Sequence, residues 1–208
     1  MILPSTLKMN TEWVFVGPMG PELPPQFEHM PTLGVDGGAH FTSHLDAWVG
    51  DADSYDKEIL SPNIYRHPIE KDKSDLALAL TLFKEPRLYK FHFWGFLGGR
   101  KDHELFNLGE ALKFLEVHQE CQILFYGPDG KIYFHLVGSG HWKFNFVGVF
   151  SLGTLNKTLV RLFGDCHYPI NKLQKLDPLT SFGLSNVGKG EMTLETEGSV
   201  FLYFPEGK

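Results

Sequence analysis

The residues best suited to chemistry in this 208-residue chain are acidic and glycine residues that recur in loops following predicted strands. One such loop begins Asp36-Gly37-Gly38, and the next carries Asp51 and Asp53 two positions apart. Two carboxylates on a tight turn supply the oxygen ligands that Mg²⁺ prefers and often shares with substrate phosphates. We therefore take Asp51 and Asp53 as candidate metal ligands.

A third loop brings both signs of charge to the start of a predicted helix. Ser74 is placed to cap that helix and Asp75 lies in its first turn. The free N–H groups of a helix N-terminus, with Lys71 and Lys73 beside them, form a potential anion site. Asp72 lies between the two lysines.

A fourth loop combines glycines with a guanidinium group. Gly98 and Gly99 let the backbone approach a ligand closely, and Arg100 brings a positive charge to the same point. Asp102 and His103 then open the next predicted helix. This composition suits phosphate binding.

These loops need strands and helices to position them. Short apolar runs predict strands at 13–16, 32–35, 47–49 and 89–94, and helical patterns are found at 74–84 and 102–117. Alternating strands and helices indicate a mainly parallel sheet with flanking helices. Ligands of such sheets bind outside the carboxyl ends of the strands, so we expect all four loops to meet at one crevice.

The remainder of the chain is predicted to be β structure. Residues 122–126 and 131–136 read as a hairpin, and further strand patterns occupy 142–152, 191–195 and 199–204. Glycines at 138 and 140 mark a boundary, which gives an α/β domain over 1–137 and an all-β domain over 138–208.

Composition excludes several functions. The chain has 19 Lys and Arg against 25 Asp and Glu, a net charge of −6, and no basic run, so we expect no nucleic-acid partner and no anionic membrane surface. No segment approaches the roughly 18 apolar residues of a membrane span. Cys121 and Cys166 lack the spacing of a zinc site or a disulfide framework. We expect a cytoplasmic protein.

One apparent phosphate loop is rejected. Residues 183–190 nearly fit G-x-x-x-x-G-K-[ST], but Gly190 stands where the Mg²⁺-binding hydroxyl is required, and a strand pattern follows where the motif needs a helix. Neither a G-x-G-x-x-G nor a G-x-S-x-G motif supports dinucleotide chemistry or serine hydrolysis.

In order and spacing, the four loops resemble the motif set of the thiamine pyrophosphokinase family over roughly residues 30–110. The motifs are 35–39, 50–54, 71–75 and 98–103, with Asn107 in the following helix. That family has a small C-terminal β-sandwich in which a Ser-Asn element helps to hold thiamine. Ser185-Asn186 occupies the corresponding place.

The resemblance implies transfer of a pyrophosphoryl group from ATP to the hydroxyl of thiamine, releasing AMP. Asp51, Asp53 and Asp75 would bind Mg²⁺, Asp72 and Asp102 would shape the site, and Arg100 would meet the phosphates. Asp72 or Asp75 would accept the hydroxyl proton. The nucleotide side would include Asp36, Gly37, Gly38, Lys71, Ser74, Gly99, Arg100, His103 and Asn107. The family also implies a homodimer, with thiamine between the α/β crevice of one subunit and the β-sandwich of the other.

Departures from the family pattern leave the acceptor open. Val187 follows Asn186, and no Trp lies nearby to stack on the thiamine ring. One alternative is therefore a pyrophosphokinase for another hydroxymethyl heterocycle, such as a pterin. A second is a nucleotide- or thiamine-phosphate-binding module without turnover. The set of Asp51, Asp53, Asp75 and Arg100 counts against this second alternative, because a binder has little need of a complete metal clamp.

Overall fold

The computed structural model describes residues 2–51, 59–85 and 87–208. Within these residues, twelve strands form one hydrogen-bonded order, β10-β9-β11-β8-β12-β7-β6-β5-β1-β2-β3-β4. The fold is therefore a mixed sheet with few helices.

Strands β1 to β6 pair in parallel, as the sequence predicts for the first half. They are β1 (Glu12–Val16), β2 (Thr32–Val35), β3 (Ala47–Gly50), β4 (Ile64–Arg66), β5 (Lys90–Trp94) and β6 (Gln122–Tyr126). The helices are α1 (Ser5–Lys8), α2 (Asp75–Leu80) and α3 (Lys101–Val117), with 3-10 turns at Pro25–Phe27, Asp36–Phe41 and Ser181–Gly183. None of the described helices is both long and apolar enough to cross a membrane.

Helix α2 ends four residues before the predicted limit. The Thr81 hydroxyl donates to the Leu78 carbonyl at 2.6 Å, and the Leu82 amide bonds to Ala79 instead of Leu78. The side chain thus takes the acceptor that one more α-helical turn would need, and the chain continues as tighter turns.

The two faces of the parallel strands bury different side chains. Alternate residues such as Phe15 and Phe93 pack against α2 and α3, with Phe83 and Phe91 in the same cluster. The opposite face is covered by loops, chiefly through Phe27. Burial on both faces explains why these strands are continuously apolar in sequence.

The second half is antiparallel, as the all-β prediction requires. Its strands are β7 (Ile132–Val137), β8 (Gly140–Gly153), β9 (Thr158–Cys166), β10 (Ile170–Leu176), β11 (Asn186–Thr196) and β12 (Val200–Tyr203). They share one hydrophobic cluster that includes Phe150, Leu162 and Leu194. The chain-terminal β12 pairs with β7, so this half continues the first sheet. A separate sandwich with a boundary at 137/138 remains a proposal.

Both cysteines are free, with Cys121 buried and Cys166 half-buried. The Cys121 thiol donates to the Arg87 carbonyl at 2.9 Å and accepts from the Tyr89 amide at 3.1 Å. It therefore joins the start of β5 to the start of β6.

A buried histidine makes the stability of this sheet dependent on pH. His135 on β7 is 9% exposed and its Nε2 lies 2.8 Å from Gln122 Oε1. Burial lowers its pKa from 6.5 to about 3, and the charges of Lys208 and Lys90 act in the same direction. Below pH 6.5 the unfolded chain therefore binds a proton that the folded chain does not, and the free energy of unfolding falls as pH falls.

We predict that His135→Gln flattens this pH dependence. In urea titrations between pH 6.5 and 4.5, the wild type should lose about 1.4 kcal/mol more per pH unit than the variant, once the unfolded imidazole is protonated. His29→Gln, at an exposed position, controls for the loss of a histidine. Parallel stability curves for wild type and His135→Gln would contradict the prediction.

Candidate active site

The carboxyl ends of the parallel strands meet at a point where the chain connections diverge. Strand β1 leads towards β2, whereas its other neighbour, β5, leads through α3 towards β6. Such a switch point is where open α/β sheets bind ligands. The predicted loops after β2, β3 and β5 all leave this edge, and the chain after β4 leads to the third predicted loop.

Sequence analysis missed the loop after β1, which fills the middle of this edge. Gly17 donates to the Trp94 carbonyl at 2.7 Å, and Met19 donates to the Gly95 carbonyl at 3.0 Å. A Cβ at Gly17 would lie 2.6 Å from the Gly95 oxygen, so the approach of the two loops requires glycine. The detectable signal was Gly17-x-x-Gly20 directly after a buried strand.

An ion-pair cluster lies at the far side of the edge. Lys71 Nζ is 2.5 Å from Asp51 Oδ2 and 3.1 Å from Asp75 Oδ1. The three side chains are only 10% to 17% exposed. Asp51 directly follows β3 and Asp75 begins α2, so Lys71 joins two of the predicted loops.

Burial and the ion pairs have opposite effects on the pKa values of Lys71 and Asp75. Burial alone would lower the pKa of Lys71, but hydrogen bonds to Asp51 and Asp75 outweigh it and raise that pKa. Burial raises the pKa of Asp75, and Lys71 offsets only part of the increase. The ammonium of Lys71 therefore stays charged at neutral pH.

Asp36 adjoins this cluster in a strained conformation. Its φ is 50°, in the left-handed region that is uncommon for a residue with a side chain. Its carbonyl accepts from Trp48 Nε1 at 2.9 Å, and a Cβ at Gly50 would lie 3.1 Å from its Cα. Gly37 and Gly38 are buried in the 3-10 turn that follows. The end of β2 therefore touches the end of β3 beside Asp51.

The loop of Gly98, Gly99 and Arg100, here called the glycine-arginine loop, follows β5 on the same edge. Arg100 forms a two-point ion pair with Asp102, with Nε–Oδ1 at 3.1 Å and Nη2–Oδ2 at 2.5 Å, and this pair lowers the pKa of Asp102. Three strand spacings of about 4.8 Å separate β5 from β3, so the strand ends that lead to this loop and to Asp51 lie about 14 Å apart.

Sequence analysis also missed Glu104, which holds the glycine part of this loop. Gly98 has a φ of 95°, and its amide donates to Glu104 Oε1 at 2.5 Å. Hydrogen bonds from Lys101 and from the amides of Gly98 and Gly99 lower the Glu104 pKa despite the opposing effect of burial. A carboxylate in the first turn of α3 thus fixes the backbone of the loop.

Other predicted site residues take structural or separate positions. The Ser74 hydroxyl accepts from the Ala77 amide at 3.2 Å, which confirms it as the N-cap of α2. Asn107 Nδ2 reaches the Phe96 carbonyl at 3.4 Å, and His103 is exposed on α3. Asp72 is exposed and lines a cleft between α2 and α3. Asp53 lies outside the described residues.

The predicted thiamine-binding pair divides into a surface residue and a buried one. Ser185 is exposed with a φ of 56°, and its amide donates to Ser151 Oγ at 3.1 Å. The buried Asn186 accepts from the amides of Tyr168 and Val187, at 2.9 and 2.8 Å, and donates to the Tyr168 carbonyl at 2.8 Å. Its side-chain amide therefore fixes the backbone at Tyr168 and Val187.

The second half of the rejected phosphate-loop motif lies in a strand. Gly188, Lys189 and Gly190 all belong to β11 and pair with β8, which confirms that no helix follows this motif. Over 2–51, 59–85 and 87–208, no three His, Cys, Asp or Glu side chains are arranged to hold a metal ion. Asp51 and Asp75 do both contact Lys71 Nζ, and their hard oxygen donors fit Mg²⁺.

A protein-family model matches the segment of the chain that contains these candidate site residues. Residues 28–125, which contain the ion-pair cluster and the glycine-arginine loop, match the family model described as thiamin pyrophosphokinase, catalytic domain. No curated protein sequence gives a significant match.

Solved structures of low sequence identity share the fold over nearly their whole length. Thiamine pyrophosphokinase from Bacillus subtilis aligns with a TM-score of 0.67 at 21% identity, covering 93% of this chain and 97% of that one. Thiamin pyrophosphokinase from Candida albicans gives 0.71 at 13% identity, covering 97% and 90%. The yeast enzyme gives 0.61 at 14% identity, covering 100% and 92%. Residues 28–125 therefore match the thiamin pyrophosphokinase catalytic-domain model, and the chain as a whole has the fold of these enzymes.

Proposed function

We propose that this protein is a thiamine pyrophosphokinase that transfers a pyrophosphoryl group from ATP to the hydroxyl of thiamine, giving thiamine diphosphate and AMP. The observation that carries the proposal is the half-buried cluster of Asp51, Lys71 and Asp75 at the carboxyl edge of the sheet. It lies inside the segment that matches the family's catalytic domain.

We infer that Asp51 and Asp75, with Asp53, hold Mg²⁺ brought in with ATP. When bound, the ion would neutralise phosphate oxygens as negative charge shifts during transfer. Lys71 keeps the two described carboxylates in place, because its ammonium lies within 3.1 Å of both. It also supplies a positive charge beside the position proposed for the phosphates.

The loop from Gly98 to Arg100 would contact the part of the nucleotide that lies farthest from the proposed Mg²⁺ ligands. Arg100 is exposed and held by Asp102 at the start of α3, where a phosphate can reach its guanidinium. Glu104 fixes the preceding backbone, so the loop needs little rearrangement on binding. Asp36 and the buried glycines after it would line the nucleotide between these two groups.

The reaction itself needs mainly positioning. The thiamine hydroxyl oxygen forms a bond to the β-phosphorus, the bond from that phosphorus to the bridging α–β oxygen breaks, and AMP leaves with that oxygen. The hydroxyl proton passes to a carboxylate, for which we propose Asp75 or Asp72. Asp75 lies in the cluster, whereas Asp72 would have to act from the neighbouring cleft.

We further propose that the enzyme is a cytoplasmic homodimer with the thiamine site at the subunit interface. Large exposed apolar side chains flank Ser185, among them Phe182 and Leu184, which are 49% and 63% exposed. Exposed apolar patches of this kind mark interaction surfaces. The two free thiols are typical of a reducing compartment.

We expect Leu184→Lys to dissociate the dimer, because a charge would replace an apolar contact. Sedimentation analysis should give twice the chain mass of 23.6 kDa for the wild type and the single-chain mass for the variant. Leu60→Lys, at a residue that is 80% exposed, is the matched control and should stay dimeric. A monomeric wild type would refute the dimer.

The acceptor is tested by following AMP release with ATP, Mg²⁺ and a candidate acceptor. Thiamine should support AMP release with stoichiometric thiamine diphosphate. AMP release with a hydroxymethylpterin but not with thiamine would select the pterin-type alternative. ATP binding without AMP release for either acceptor would select a binding module.

Asp51→Asn should lower kcat by about a hundredfold or more, because it removes one of the charges proposed to act on the transferring group. The fold should survive, since Lys71 keeps its ion pair with Asp75. Steady-state kinetics, with circular dichroism as the check on folding, measures the effect. Asp177→Asn makes the same change at an exposed ion pair with Lys175 and should leave kcat unchanged. Full activity of Asp51→Asn would refute the metal assignment.

A further inference from the structure

A cleft of about 440 Å³ lies between helices α2 and α3. Its volume falls within the range of about 300–1,000 Å³ that is typical of pockets for small molecules. Asp72, one of the two carboxylates proposed to accept the hydroxyl proton, lines this cleft, but none of the other lining residues has a part in the proposed reaction. We therefore asked which ligand the chemistry of these residues would favour.

The floor of the cleft is apolar. Leu80 of α2 and Phe114 of α3 both line it, although each is less than a tenth exposed. Ala77, also on α2, has a small side chain, and a larger one would take up part of the cleft. Val117 in the last turn of α3 is 77% exposed and adds apolar surface. An apolar group bound here would remove these surfaces from water, which favours binding.

His118 adds an aromatic wall to the cleft. Its ring stacks on Phe114, with ring centroids 4.0 Å apart and an interplanar angle of 16°. The Tyr89 ring lies 5.9 Å from it in an edge-on arrangement, so the imidazole is held between two aromatic rings. Burial lowers the pKa of His118, so the imidazole is neutral at pH 7. This side chain therefore contributes flat surface without charge.

Three exposed lysines surround the apolar floor, namely Lys73, Lys84 and Lys113. Over residues 2–51, 59–85 and 87–208, none of their ammonium groups forms an ion pair or a side-chain hydrogen bond. Carboxylates hold many of the other lysines of this chain, namely Lys8, Lys71, Lys90, Lys101 and Lys175. The cleft thus collects ammonium groups that remain available to a ligand.

The charges that line the cleft leave a small positive excess. Asp72 and Glu110 also line it, so three ammonium groups are accompanied by two carboxylates and a neutral imidazole. An excess of one positive charge contrasts with the net charge of −6 of the whole chain. A ligand with one negative charge matches this excess, whereas the two carboxylates would repel a triphosphate.

We propose that this interhelical cleft binds a small organic monoanion with a flat apolar body, such as an aromatic carboxylate or sulfonate. The apolar body lies on Leu80, Phe114 and Val117, and the anionic group lies among the ammonium groups of Lys84 and Lys113. Charge complementarity and the apolar floor together define this class of ligand. The site is separate from the proposed positions of ATP and thiamine and does not depend on the proposed reaction.

Fluorescence titration with anilinonaphthalene sulfonate, an aromatic monoanion, tests this site. The wild type should bind about one dye molecule per chain, and the affinity should fall as salt is added, because the ammonium groups are exposed. The double variant Lys84→Gln, Lys113→Gln should bind this dye about fivefold more weakly. It should bind N-phenylnaphthylamine, which lacks the sulfonate, within about twofold of wild type. Val117→Ser should weaken the binding of both dyes about threefold.

Matched variants control for general effects of charge and of apolar surface. The double variant Lys143→Gln, Lys172→Gln removes two exposed lysines outside the cleft, and Val147→Ser changes a valine that is 75% exposed on β8. Both control proteins should bind each dye as the wild type does. Circular dichroism should give the wild-type spectrum for all four variants, since each replaces only exposed side chains.

The absence of sulfonate-dye binding by the wild type would overturn the proposal. Equal affinity for that dye in wild type and in the Lys84→Gln, Lys113→Gln protein would also overturn it, as would an equal loss in the lysine control. Displacement of the dye by ATP with Mg²⁺, or by thiamine, would assign the cleft to the substrates and refute a separate site.

Discussion

One ammonium group joins the groups at the far side of the carboxyl edge of the sheet. Lys71 lies within 3.1 Å of both Asp51 and Asp75, and these groups come from the end of β3, the following connection and the start of α2. Without it, two half-buried carboxylates would repel each other and would be poorly hydrated. The cluster still carries one more negative than positive charge, so it favours a further cation.

The parallel sheet separates this cluster from the glycine-arginine loop. The loop after β1 lies between the two groups, where Gly17 and Gly95 pack backbone against backbone. A ligand that contacts both groups must therefore extend across that loop, about three strand spacings along the edge. A single phosphate cannot span this distance, whereas an extended nucleotide can. The spacing of the strands thus favours a nucleotide over inorganic phosphate.

Patterns that depend on burial could be predicted from sequence, and positions decided by tertiary contacts could not. The apolar runs of β1, β2, β3, β5 and β6 and the helical stripe of α3 predicted real elements because each faces a core. Strand β10 was missed, because five consecutive residues of it are exposed and lysine interrupts its alternation. The end of α2 was misplaced because one side-chain hydrogen bond, from Thr81, outweighed the continuing pattern.

In the candidate site, too, some features could be predicted from sequence and others depend on tertiary contacts. Sequence identified the loops, since the chain must leave every parallel strand at one edge, but it could not say which way each side chain turns. In the segment 71–75, Lys71 and Asp75 enter the cluster, Ser74 caps the helix and Asp72 faces another cleft. Glu104 escaped notice because its importance lies in a backbone contact that no residue type reveals. The loop after β1 did carry a signal, Gly17-x-x-Gly20 after a buried strand, but its contacts with Trp94 and Gly95 depend on the tertiary fold.

The excess of acidic residues that gives the net charge of −6 also affects the basic side chains of the candidate site. The basic side chains proposed to meet phosphate are already paired, Lys71 with Asp51 and Asp75 and Arg100 with Asp102. Lys101, beside them, is paired with Glu104. A bare triphosphate would have to compete with a carboxylate for each of these cations. A nucleotide that carries its own divalent ion would instead offer Asp51 and Asp75 a partner and release Lys71 towards the phosphates. The pairing of Lys71 therefore supports the proposal that phosphate enters this site as a metal complex.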